Sequence, residues 1–409
     1  MSRAPLLALC TALWAGCSPS EPAPPAEPVR AVFSAPPRPL PPPRDLRVAC
    51  VFPDEGRYGA SGIDSARGVD LAAERVNAEG GVHGRTLEVL HYRTGSFIAD
   101  AAAAAERAIE DGALAIVGPN SSDLASVVAE RAEEAGVLMV TNVATSPEVT
   151  RGRRFVFRVC YTDARLGELL ARFACERLGA RRVAALFEVS RFYSYGLAQA
   201  FLQGYRAACP GGGARGWHYL EDEVDFEDPL RSIQAFDPDA LLVPGSTTDV
   251  SLIGAGMGAL GLRATLIGGD SWSRGLLFPR GGPVRPSFHS DHWNPADPVL
   301  APFLEAYRAR FGGSPQGARS VLAADAVEGL RQALERVGPV PGEALSRPRL
   351  DETRRALRDA FQAVDYAGYT GRIRFPSGGD PEKGCHLFRV ECGPDGRAPP
   401  RSEYVGTLP

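Results

Sequence analysis

The chain has no long run of basic residues, and its formal net charge is −4. A nucleic-acid partner calls for a basic face, so that class is set aside. Histidine is scarce, with six in 409 residues, and no CxxC spacing occurs among the eight cysteines. Neither residue type supplies a zinc constellation, and neither metal nor cofactor is implied. "FHSDHW" (288–293) sets His289, Asp291 and His292 close together but lacks a third well-spaced ligand. It reads as a crossover strand and loop. There is no GxSxG elbow, and "GAGMGALG" (254–261) falls inside an apolar helical pattern rather than after a strand. The first absence weakens a hydrolase reading and the second a dinucleotide loop.

What is present is globular: 44% hydrophobic and 23% charged residues. A chain this long exceeds the roughly 150 residues typical of one domain, so two lobes are expected. The N-terminus carries Arg3, an apolar run from about Ala4 to Gly16, and Cys17. That run falls short of the about 20 apolar residues needed to span a bilayer and reads as an export signal. Ala15-Gly16-Cys17 resembles a bacterial lipobox, with Trp14 where Leu is usual, so 1–17 is the expected signal segment, with Cys17 lipidated and becoming the first mature residue. Residues 18–44 are Pro-rich without apolar periodicity. Such a segment favours extended polyproline II, reaching roughly 80 Å as a tether.

From residue 45 onward strand-like and helix-like patterns alternate. "LRVACVF" (46–52) is a buried-type strand, and residues 64–81 form a helix with Ala66, Val69, Ala73 and Val76 on one face, ended by Gly80-Gly81. Strand 86–92, helix 98–111, strand 114–117, helix 122–135 and strand 137–140 follow. After 160 the alternation restarts with helix 164–178, strand 182–187, helix 195–208, strand 217–220, helix 227–235, strand 240–244, helix 248–260 and strand 265–268. Helices near 298–311, 318–337 and 350–363 come next, then strands 371–375 and 386–391. The pattern predicts an α/β protein of two doubly wound parallel-sheet lobes, with ligands at the carboxyl ends of the strands and a cleft between. The expected division is 45–160 plus 290–372 for lobe 1 and 161–289 plus 373–400 for lobe 2.

An exported chain permits disulfides. Cys385 and Cys392 would lie about 23 Å apart in an extended strand, too far to bond. Cys175 and Cys209 each end a predicted helix of one lobe and are the expected pair.

"RGVDLAAERVNAEGGVHGRTLEVL" followed by "AIVGPNSSDLASVVAERAEEAGVLMVTNVATSPEVT" resembles the leucine/isoleucine/valine-binding proteins, the type I periplasmic solute-binding proteins of ABC transporters. "VFRVCYTDARLGELLARF", "YSYGLAQAFLQGY" and "YTGRIRF" extend the resemblance over about 45–395. It implies two lobes joined by three crossovers, closure on a ligand, and delivery to a membrane permease. Chemistry on the ligand is not expected. A sensing module of the same fold is the alternative, and a hydrolase or metalloenzyme a more distant one.

A free amino acid offers a carboxylate and an ammonium. Ser122, where a strand gives way to a helix, could meet the carboxylate with its hydroxyl and the helix N-terminus. By resemblance Ser122 and Thr145 match carboxylate binders, Val143 and Ala144 lie on the lining backbone, and Asp270 matches the acid for the ammonium. Tyr193 and Tyr58 match pocket aromatics of the second and first lobes. The bland reading is capping by Ser121 or Ser122 and by Ser146 before Pro147, with Asp270 as a helix cap and Trp272 either packed or closing over the ligand. Ser246 and Thr247 stand where an aromatic is expected, and "LHYRTG" (90–95) carries Arg93 and Thr94 where the family tends to have acids.

Overall fold

The computed structural model describes residues 46–272, 277–279, 282–283, 285–340, 346–391 and 401–409. Cys17, the expected export signal, the Pro-rich segment and Cys392 lie outside the described residues. The first sheet is built from β1 (Leu46–Pro53), β2 (Leu87–Thr94), β3 (Ala115–Val117), β4 (Leu138–Thr141) and β5 (Val156–Arg158), in spatial order β2-β1-β3-β4-β5. Every pairing in it is parallel. Helices α1 (Gly59–Ala78), α2 (Ile98–Glu110) and α3 (Ser122–Ala135) connect its strands. Every residue of β3 and β4 is buried. Helices therefore cover both faces, which is why those strands read as continuous apolar runs rather than alternating ones.

The chain then crosses to a second body. α4 (Asp163–Arg172) runs into a π turn (Phe173–Arg177) and leads to β6 (Arg182–Glu188), α5 (Phe192–Ala208), β7 (Gly213–Tyr219), α6 (Glu227–Phe236), β8 (Ala240–Leu242), α7 (Thr247–Leu260), β9 (Thr265–Gly268) and β10 (Ser287–Asp291). After a second crossing, α8 (Ala301–Phe311), α9 (Arg319–Val337) and α10 (Arg347–Gln362) pack on the first sheet. Val321, Leu330, Leu357 and Phe361 share a core there with Val48, Val117 and Val140. A hairpin of β11 (Asp365–Gly368) and β12 (Gly371–Arg374) precedes the third crossing, to β13 (Cys385–Glu391) and β14 (Arg401–Leu408). Lys383, the chain's only lysine, ties the first and third crossings by donating to the Val159 carbonyl (3.0 Å) and the Thr370 hydroxyl.

The second sheet has the order β14-β13-β10-β9-β8-β6-β7. It departs from the expected all-parallel arrangement at one edge, where β13 runs antiparallel to β10 and β14 antiparallel to β13. β14 escaped the sequence reading because it is an outer strand with mostly exposed residues, so no apolar alternation marks it. Cys175 and Cys209 are bonded, with Cα atoms 5.9 Å apart, joining the π turn to the end of α5. Cys50, Cys160 and Cys385 are free and buried. The alternation in the sequence is thus the two-lobed α/β architecture with three crossings.

Candidate functional site

Two strand ends of the first lobe converge. β3 leaves through Gly118, whose φ of +102 and position 2.3 Å from the Val51 carbonyl at any added Cβ exclude a side chain. Ser121 then caps α3, its Oγ accepting from the Leu124 N–H at 3.3 Å. Ser146 caps the turn Pro147–Val149, accepting from the Glu148 N–H. With both caps supplied by their neighbours, Ser122 and Thr145 are released from that duty. The buried Ser122 Oγ accepts from the Ser146 N–H (3.2 Å), which leaves its own proton to donate.

The loop after β4 is held rigidly. Thr141 Oγ1 donates to the Pro119 carbonyl at 2.6 Å and accepts from the Ala144 N–H at 3.3 Å. Arg158, fully buried at the end of β5, donates to the carbonyls of Ala144 and Ser146, to Thr150 Oγ1 and to Asp380. Both backbone groups of Ala144 are thereby engaged inside the loop. Val143 is half-buried and lines a cavity of about 380 Å³ together with Asp270.

The second lobe meets this loop with acids. Asp163 opens α4, and its N–H donates to the Thr145 carbonyl at 2.9 Å. Its carboxyl is fully buried. Burial pushes its pKa well up, the Thr145 hydroxyl beside it lowers it, and Asp270 raises it further. Asp270 follows β9, and its Oδ2 is paired with His292 Nε2 at 3.0 Å. Burial works to raise its pKa, but the His292 hydrogen bond and charge, helped by Arg319, hold it below the usual carboxylate range. The Tyr193 hydroxyl donates to Ser271 Oγ at 3.2 Å, and its pKa is pushed up by burial and by Asp270. Tyr161 stacks on the His292 ring with centroids 3.8 Å apart.

Among the described residues, Thr145 Oγ1, both oxygens of Asp163 and Asp270 Oδ1 are buried without a hydrogen-bond partner. Buried polar atoms are nearly always satisfied, and unpaired buried charge is costly. Acceptors gathered this way suit a compact cation with several N–H donors.

The periplasmic binding protein family matches residues 45–397. The chain belongs to that family. This binding protein is 25% identical over 339 residues to Leu/Ile/Val-binding protein homolog 3 of Brucella melitensis, covering 81% of this chain and 90% of the relative. It is also 25% identical to the leucine-, isoleucine-, valine-, threonine-, and alanine-binding protein of Pseudomonas aeruginosa, over 82% of this chain and 87% of that one. The solved leucine-binding protein LivK of Thermotoga maritima superposes with a TM-score of 0.75 at 29% identity, covering 89% of this chain and 98% of that one. A benzoate-bound solute-binding protein of R. palustris shares the fold, with a TM-score of 0.73 at 18% identity, over 89% of this chain and 96% of that one. These relatives are solute-binding proteins rather than enzymes, and solute binding is the general role of this one. The family is extracytoplasmic, and no helix among the described residues is long and apolar enough to cross a membrane.

In this binding protein the remaining expected residues fall at the mouth between the lobes. The half-buried Tyr58 lies under the Arg191 guanidinium, 5.0 Å from its ring centre, with its hydroxyl 3.5 Å from Asp123 Oδ2. Asp123 in turn accepts from the Phe192 N–H at 3.1 Å, and Arg57 pairs with Glu188 (3.2 Å) and Glu221. Apart from the Tyr58–Asp123 approach, each of these contacts joins the first lobe to the second. Glu188 is pushed up to about 7, because burial outweighs Arg57. Trp272 packs against Gly268, donates to the Val243 carbonyl at 3.2 Å, and also lines the cavity beside Asp270. Ser246 is the cap of α7 in a capping box with Asp249. Arg93 is 78% exposed and pairs with Asp54. His289 stacks between Trp272 and Phe388.

Asp163 went unrecognised in the sequence. An acid in the first turn of a helix has an ordinary electrostatic reason to be there, and only folding sets it opposite Asp270. The available signal was its place immediately after the first crossing, in "YTDAR".

Proposed function

We propose that this is an extracytoplasmic solute-binding protein that captures an amino acid or a similar small zwitterion between its lobes and hands it to an ABC permease. Lobe 1 is read as 45–160 plus 290–372 and lobe 2 as 161–289 plus 373–400. Lipidated Cys17 holds the protein at the membrane, with 18–44 as tether. The observation that carries the reading is the set of unsatisfied buried oxygens on Asp163, Asp270 and Thr145. An ammonium has three donors and one positive charge, and would satisfy three of those acceptors while balancing the charge of Asp270. The carboxylate falls to the Ser122 hydroxyl and to Thr145 at the two strand ends, with Tyr193 and Tyr58 flanking. The names of the curated relatives, which are amino-acid-binding proteins, point the same way. Calorimetry on Ser122→Ala/Asp270→Asn is the test. Loss of amino-acid binding supports the site, and unchanged affinity in the double variant overturns it.

A further inference from the structure

The cavity that touches Asp270 and Val143 extends away from the other site residues toward α8 and the start of α9. At about 380 Å³ it is larger than an ammonium and a carboxylate require. One wall is apolar, with Trp272, Trp293 and Leu304. Another carries Arg319, while Asp291 and His292 line the side next to Asp270.

Arg319 is the first residue of α9, and its carbonyl is pinned by Asn142 Nδ2 at 2.9 Å. The base of its side chain therefore sits on a rigid element. Its guanidinium is half-buried, yet among the described residues it forms no hydrogen bond or ion pair. The two acids whose acidity it influences are engaged elsewhere: Asp270 by His292 at 3.0 Å, and Asp64 by the Tyr307 hydroxyl at 2.6 Å. Arg308 lines the same space and likewise has no ion pair among the described residues. A half-buried guanidinium with no acceptor is as incomplete as the acids across from it. Its planar fork matches a carboxylate in two parallel hydrogen bonds.

We infer that the ligand is an α-amino acid with an anionic side chain, and that Arg319 is the residue that selects it. The inference rests on the proposed site, since the α-ammonium at Asp270 is what directs the distal group into this cavity. The acidic side chain runs along the tryptophan wall and ends on the Arg319 guanidinium, with Arg308 adding positive potential from the exposed side. An aliphatic side chain in the same place would leave the guanidinium desolvated and unpaired, which disfavours such ligands.

The test is calorimetry on the purified full-length chain with L-glutamate, L-aspartate, L-glutamine and L-leucine. Glutamine has nearly the shape of glutamate without its charge, so their ratio reads the guanidinium directly. The expected result is an acidic amino acid binding at least about 30-fold tighter than glutamine or leucine. Arg319→Leu then loses that preference, while leucine binds as well as before or better. If leucine matches the acidic ligands, or if Arg319→Leu keeps the preference, the inference fails and the amino-acid site stands. If none of the amino acids binds, both fall. Should Arg319→Leu not fold by circular dichroism, Arg319→Gln and the wild-type glutamate-to-glutamine ratio decide.

Discussion

The two lobes share a plan and differ in what they bring to the gap. The first is a five-stranded, wholly parallel sheet whose strand ends carry neutral groups, the hydroxyls of Ser122 and Thr145. The second is a seven-stranded mixed sheet whose contribution is acidic: Asp163 at the start of α4 and Asp270 after β9. Neither lobe can satisfy a zwitterion by itself. One offers donors to a negative head and the other acceptors to a positive head, so full satisfaction exists only with the lobes together. In the proposed site a guest carrying both heads therefore adds more to closure than one carrying a single head, which is how a hinge of this kind couples binding to shape.

The largest expected effect comes from neutralising the acidic side. Asp163→Asn with Asp270→Asn should weaken amino-acid binding by about 1000-fold or more, since the charge lost at buried Asp270 is worth several kcal/mol and Asp163 takes acceptor oxygen away with it. Calorimetry reads this directly, and a loss under tenfold would mean that the ammonium is held elsewhere. The next effect should fall on stability alone. Reducing the Cys175–Cys209 bridge, or Cys175→Ser, frees a loop with a sequence separation of 34. Chain entropy puts the cost at about 3–4 kcal/mol. Denaturant melts should show it while ligand affinity holds, because the bridge lies within the second lobe away from the gap.

On the neutral side, Ser122→Ala removes one hydroxyl donor to a carboxylate and should cost about tenfold in affinity. The contrast with the acid pair is the measure of the asymmetry between the lobes. The smallest effect concerns pH. Glu188 has a pKa near 7 with the lobes together, against an ordinary 4.5, and opening frees it from Arg57 toward solvent. The closed form then holds more protons than the open one between those values, so affinity should fall as pH rises through that window and level off above about 7. Titrations at several pH values should give a slope of a few-fold that Glu188→Gln flattens.

Most of the architecture was legible because the strands are buried on both faces and the helices carry apolar stripes. The span expected for α3, 122–135, is the span observed. What escaped were β5, β11 and β14, which are short, exposed or at an edge and so carry no clear apolar alternation. The site divides in the same way. Ser122 and Thr145 stand in one strand-helix-strand unit and could be read from its joints. Asp163 could not, because a helix-opening acid looks like routine dipole compensation until Asp270, 107 positions later in sequence, is folded against it. Arg319 was likewise silent: its meaning comes from a cavity, and cavities have no linear signature.

The bridges across the mouth have a kinetic consequence. Arg57 with Glu188 and Glu221, Asp123 with the Phe192 amide, and Arg191 over Tyr58 need no guest to form. An empty molecule can therefore rest shut, and a solute must wait for it to gape before entering. The observed capture rate is then scaled down by the fraction of time spent ajar, and the measured dissociation constant rises by the same factor. Loosening Arg57 should quicken uptake and shorten residence alike, setting how long cargo is held before it is given up.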